Sequence, residues 1–322
     1  MTMRAAQRVW VLLLVSTTLF PALPQGADAQ SSEAADNHTV QIAMKNVTYH
    51  FTDQIAVHIA QLQGYLTPSK PEALIVLDDS SSYTLNLASA EIALGCNSLA
   101  QILNENLFSA ANAPIKQVTI EAKNDQLIIK GKLHQKGDVP FESTGTLLVE
   151  GDGRIRLHTE HLKAAHLPVK GLMDLLGIDM ARMINTKKIP GVSADKDDLI
   201  LNPEQIFPPP QIRGRITAIR IQGDEIVQVF GSLKASNFAA KQSGNYMEYR
   251  HGDLGFGKLT MKDADLILID MDPRDPFDFY LDHYKEQLVA GYAKTTPELG
   301  LRVYARDYNK LHHQPASTSL NK

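Results

Sequence analysis

In Ile216-Thr217-Ala218-Ile219-Arg220-Ile221-Gln222-Gly223-Asp224-Glu225-Ile226-Val227-Gln228-Val229-Phe230, two runs rich in β-branched residues flank a Gly-Asp pair. Gly-Asp tolerates the positive φ of a tight reversal, so the stretch predicts two antiparallel strands and their turn. The same grammar recurs upstream. Leu127, Ile129 and Leu133 alternate with Lys130 and Lys132. Val139, Phe141, Leu147 and Val149 form another stripe, and Gly151-Asp152-Gly153 marks a second turn. Earlier still, Ile55, Val57 and Ile59 share one side, with His58 and Gln61 opposite or at its margin. Side chains alternate across a strand, so each stripe describes one buried face. Roughly ten such strands argue for large antiparallel sheets, each covered on one side.

Helical spacing appears three times. Ser98 is placed as an N-cap before Leu99, Ile102, Leu103 and Leu107, with Pro114 as the stop. Leu172, Leu175, Leu176, Met180, Met183 and Ile184 make a second apolar face, with Pro190-Gly191 beyond it. Phe277, Leu281, Tyr284, Leu288 and Tyr292 make a third, which Asp275 or Pro276 would start. So few helices cannot wind around a parallel sheet. The expected class is α+β, predominantly antiparallel β, with helices laid against sheets. Phe207-Pro208-Pro209-Pro210 and the Gly/Ser/Asn-flavoured stretch 236–244 interrupt the pattern. They suggest a β-rich domain over 38–232 and a small β/α module over 245–310. Residues 30–37 and the tail 311–322 read as disordered.

The N-terminus has the grammar of an export signal. Arg4 and Arg8 precede an apolar run from Val9 to Phe20, then come Pro21, Pro24 and Ala27-Asp28-Ala29. Small residues at 27 and 29 place cleavage before Gln30, so residues 1–29 are expected to be removed and the mature chain to work outside the cytoplasm. The apolar run falls short of the roughly 20 residues that span a bilayer, although retention as an anchor is the competing reading. Cys96 is the sole cysteine, which leaves no internal disulfide and makes a buried free thiol the expected state. The formal charge of −4 becomes about −5 without the signal. That balance argues against a nucleic-acid partner, which would call for a basic excess.

No local motif announces catalysis or a cofactor. Gly191-Val192-Ser193-Ala194-Asp195 lacks the closing Gly of a nucleophile elbow and reads as a polar turn. His158, His161 and His166 are the densest ligand-like group, but 158 and 161 point to opposite faces of a strand, so surface histidines are expected. Asp270, Asp272 and Asp275 offer oxygens to Ca²⁺, with Arg274 in their midst and without the turn glycine of a calcium loop. Gly255-Phe256-Gly257-Lys258 lacks the frame of a phosphate loop and reads as a turn.

The order of elements carries more than the motifs do. Ser98–Leu107 leads through Ala113-Pro114-Ile115 into Val118–Ala122, then Gln126–Gly131, Val139–Gly145 and Gly151–Leu157, the Leu172–Ile184 helix, and Leu199–Pro210 before the hairpin. This order resembles the LmeA-like phospholipid-binding family of bacterial cell-envelope proteins, and more broadly the tubular lipid-binding superfamily, over roughly residues 40–232. The resemblance implies a long curled sheet wrapped on a helix and an apolar groove for acyl chains. Leu172, Leu175, Leu176, Met180 and Met183 are the expected lipid contacts, because unbranched, polarizable methionines adapt to irregular partners. The expected function is non-catalytic binding or transfer of a phospholipid or similar amphiphile, with peripheral membrane contact. A lipid esterase with a spatially assembled site and a structural β protein are the alternatives. Oligomeric state is left open.

Overall fold

A computed structural model describes residues 38–109, 113, 115–134, 138–165, 167–168, 190–195, 198–207, 209–232 and 243–311. The chain opens with β1 (Val40–His50), β2 (Ala56–Pro68), β3 (Ile75–Val76) and β4 (Tyr83–Gly95), then helix α1 (Cys96–Ile102). Next come β5 (Ile115–Lys123), β6 (Gln126–His134), β7 (Asp138–Val149), β8 (Ile155–Ala164) and β9 (Leu167–Pro168). β10 (Val192–Asp195) and β11 (Asp198–Leu201) lead into α2 (Pro203–Ile206), β12 (Gln211–Arg213) and the hairpin β13 (Ile216–Gln222) and β14 (Glu225–Gly231). The last third holds β15 (Tyr246–Arg250), β16 (Leu254–Phe256), β17 (Leu259–Met261), β18 (Asp265–Asp270) and β19 (Phe277–Tyr280). It closes with α3 (Tyr284–Val289), β20 (Tyr292–Thr295), β21 (Leu301–Ala305) and α4 (Tyr308–Leu311). With 58% strand against 13% helix among the described residues, and curled antiparallel sheets that include a half-barrel, the fold is the mainly β member of the α+β class that the alternation indicated.

The largest sheet runs β13-β14-β4-β2-β1-β15-β18-β21-β20. Its centre is β4-β2-β1, and each outer edge of that trio is divided between two strands. β1 pairs with β15 over Gln41–Lys45 and with β19, in parallel, over Val47–His50. β4 pairs with β12 over Thr84–Asn86 and with β14 over Ser89–Gly95. A slip of one residue would turn every apolar side chain of β1 to the wrong face, and at Asn46 the buried side of β1 switches while its register with β2 is kept. The φ of 50° at Asn46 takes it out of the ladder, as Ala60 is on β2, so Lys45 pairs with Gln61 and Val47 with Ile59. Parity therefore switches from Ile42 and Met44 to Val47 and Tyr49, and all four remain buried. The Asn46 amide is tied to Asn245 at 2.9 Å.

A second sheet runs β10-β11-β8-β7-β6-β5, and β17-β16-β3 forms a small third. The main core lies against the large sheet and includes Leu62, Leu66, Met247, Leu266, Leu268 and Phe277. Each such side chain contributes about 1.5–3 kcal/mol by leaving water.

Several expectations change. The 245–310 region and the 38–232 region share one sheet, because β15 and β18 extend it beyond β1, and their described residues group into one compact unit. Linker-like composition carries no information about which sheet the next strand joins. The helix expected over 277–292 is instead β19, α3 and β20. Phe277 is fully buried while Tyr292 is 45% exposed, so their helical spacing reflects separate elements rather than one face. Asp278 accordingly sits within a strand. Gly95, not Ser98, occupies the N-cap of α1, and the Ser98 hydroxyl instead accepts from the Ala56 amide at 3.2 Å. Val192–Asp195, expected as a turn, pairs antiparallel with β11. The helix expected at Leu172–Ile184 lies outside the described residues.

Candidate functional site

The second sheet has two chemically opposite faces. On one, Leu127, Ile129 and Leu133 of β6, Phe141, Ser143 and Leu147 of β7, and Ile155, Leu157 and Thr159 of β8 follow the strand period of two. The step from Ser143 to Leu147 skips a register shift between Thr144 and Gly145. Glycine is required there, because a Cβ would collide with the His158 carbonyl. The opposing wall is built by Leu94 of β4, Ile219 of β13, and Ile226 and Gln228 of β14. Leu199 and Leu201 of β11 continue the lining, and Pro203 and Ile206 of α2 with Phe207 close it at one side.

A π-turn follows α1. The Phe108 amide donates to the Leu103 carbonyl at 2.9 Å, and Leu103, Leu107 and Phe108 all reach the enclosed space. This turn is fastened by Asn104. Its side chain donates to the Val118 carbonyl at 2.8 Å and accepts from the Val118 amide at 2.9 Å. Val118 lies where the β5–β6 register slips between Lys116 and Thr119, so Asn104 takes the place of a strand partner.

Between these walls is a cavity of about 150 Å³. Its lining is apolar except for Ser143, Thr159 and Gln228, among the described residues. A second cavity of about 80 Å³ is lined by residues such as Phe51, Ile55, Ile92 and Ile212, and shares Leu94, Phe207 and Gln228 with the first. Both spaces are partly open and apolar, which gives a water molecule few partners inside them. Neither cavity is lined by an acid, a base or a cysteine among the described residues, and the hydroxyl side chains in the larger lining are Ser143 and Thr159.

The outer face of the same sheet is ionic. Arg156 bridges Glu150 at 2.6 Å, Asp198 at 2.8 Å and Asp195 at 2.9 Å. His158 Nδ1 lies 2.8 Å from Asp198 and is half exposed, the surface role expected of it. Burial opposes ionisation of Asp198, yet hydrogen bonds from Arg156 and His158 hold its carboxyl below the usual range. His161 is exposed on the same strand, and His166 lies outside the described residues.

The aspartates weighed for Ca²⁺ are already engaged. Asp272 is gripped by Arg274 at 2.6 Å and by Lys310 at 3.1 Å, and Lys310 also meets Asp275 at 2.7 Å. Asp270 is buried, accepts from Asn245 at 2.8 Å, and has its carboxyl pushed up by that burial. Two protein cations thus stand where a metal would, and no metal-holding cluster occurs among the described residues. Cys96 is a buried free thiol, pushed up to about 12 by burial and by Asp224.

Leu172, Leu175, Leu176, Met180 and Met183 lie outside the described residues. The cavity is built from other side chains, and Gln228 is not among those the sequence singled out. Its signal is nonetheless present, a polar residue between Ile226 and Phe230 in an apolar stripe. No described helix is long and apolar enough to cross a membrane. No protein-family model, curated protein or solved structure gives a significant match to this chain.

Proposed function

We propose that this chain is an exported cell-envelope protein that binds or transfers a phospholipid or similar amphiphile, without catalysis. The observation that carries this reading is the apolar cavity between the two sheets, whose lining among the described residues offers no charge to a polar ligand. An acyl chain is the natural guest, since each CH₂ moved from water into such a space gains about 0.8 kcal/mol. The LmeA-like order of elements and the signal-like segment 1–29 support the same reading, because both put the protein beside membranes. Peripheral contact with a bilayer would let the acyl chain pass without crossing water.

Transfer between vesicles tests it. Mature protein is expected to accelerate exchange of a fluorescent phospholipid from donor to acceptor vesicles, and to hold a fluorescent fatty acid when vesicles are absent. Protein that does neither, and that carries no lipid when isolated from a bacterial envelope, is not a lipid carrier.

A further inference from the structure

Gln228 stands on β14 in the line of Ile226 and Phe230 and is 4% exposed. Its Oε1 is buried with no hydrogen-bond partner among the described residues. Alternation turns Gln228 inward, where an apolar residue would be the stable choice. It belongs to the walls of both cavities, together with Leu94 and Phe207. The residue that carries the orphaned amide oxygen thus lines both the larger and the smaller apolar space. Buried polar groups normally find partners, and one left without a partner destabilises the fold.

We propose that the lipid held here is uncharged and hydroxyl-bearing, of the diacylglycerol class, and that its hydroxyl pairs with Gln228; this rests on the lipid-binding reading above. A hydroxyl donates to the amide oxygen and also accepts from the amide nitrogen, so it fits either orientation of the side chain. A phosphate or carboxylate brought to the same place would be buried unpaired, since no charged side chain lines either cavity among the described residues. The two spaces on either side of Gln228 suit a polar centre that carries two acyl arms.

The test compares 1,2-dioctanoylglycerol with dioctanoylphosphatidylcholine, which share their acyl chains and differ in the head. Each is titrated against mature protein loaded with the uncharged fluorophore Nile red. The diacylglycerol is expected to displace the probe at lower concentration. Gln228→Leu should weaken diacylglycerol binding about tenfold, the loss of one hydrogen bond, and move the phosphatidylcholine by no more than about twofold. Gln228→Met, closer in shape, should reproduce that selective loss and serves if the leucine variant does not fold. If both lipids bind and neither variant changes their ratio, Gln228 does not select the ligand, while the lipid-binding reading stands. The same conclusion follows if phosphatidylcholine binds as tightly as diacylglycerol. If neither lipid displaces the probe and the protein retains no lipid, both proposals fall together.

Discussion

Leu157→Ala and Leu268→Ala remove the same atoms from different surroundings, and their costs should differ. Each change deletes three carbons, about 2.4 kcal/mol of transfer free energy at about 0.8 kcal/mol per CH₂. Leu268 is 1% exposed in the packed core of the large sheet, so truncation also forfeits contacts on every side. Its total should reach about 4 kcal/mol, within the range for closely packed leucines. Leu157 is 5% exposed but borders the 150 Å³ cavity. The part of its side chain that faces the void has no partner atoms to lose, so its cost should stay near 2 kcal/mol. Urea unfolding of delipidated mature protein, followed by far-UV circular dichroism, gives both values from midpoints at a common slope. Equal costs at the two sites would mean that Leu157 is packed as tightly as Leu268, and the cavity account would fail. Saturation with dioctanoylglycerol should stabilise the wild type further, by mass action.

Two other outcomes follow from electrostatics. Asp198 has its carboxyl held below the usual range, so its stabilisation is present above the unfolded value of about 4 and fades as pH falls through the lower folded value. Asp198→Asn should be less stable than wild type at pH 6, and the gap should narrow in acid melts; a constant gap would contradict the Arg156 network. Cys96, buried and pushed up to about 12, should resist a thiol reagent at pH 8 until urea unfolds the protein. Stoichiometric labelling of the native protein would show that the α1 region opens.

The strands were legible because period-two stripes such as Leu127, Ile129 and Leu133 follow from a sheet with one wet face. Pairing between distant strands was not. Nothing local tells Val47 that its neighbour is Phe277, or Lys45 that its neighbour is Tyr246. The spacing of Phe277, Tyr284 and Tyr292 imitates a helix because three short elements in series can sample any period. The cavity was illegible for a related reason. Its lining draws on β4, β6, β7, β8, β11 and β14, and each residue alone reads as ordinary core. Gln228, like Ser143 and Thr159, breaks an apolar stripe, and a buried polar residue gains meaning only once its surroundings are known. The aspartates at 270–275 show the converse. Their density suggested a cation, and the cation proved to be Lys310, 35 residues from its partner Asp275.

Direct occupancy of the cavity is the sharpest test. Trp10 is the sole tryptophan and belongs to the segment expected to be removed, so Phe141→Trp places a single reporter in the cavity wall of the mature chain. Leu299→Trp, at a position 90% exposed, is the control. A diacylglycerol brominated along its acyl chains should quench the Phe141→Trp emission saturably and leave the Leu299→Trp emission nearly unchanged. No quenching at position 141, or equal quenching at both positions, would contradict an acyl chain lodged between the two sheets.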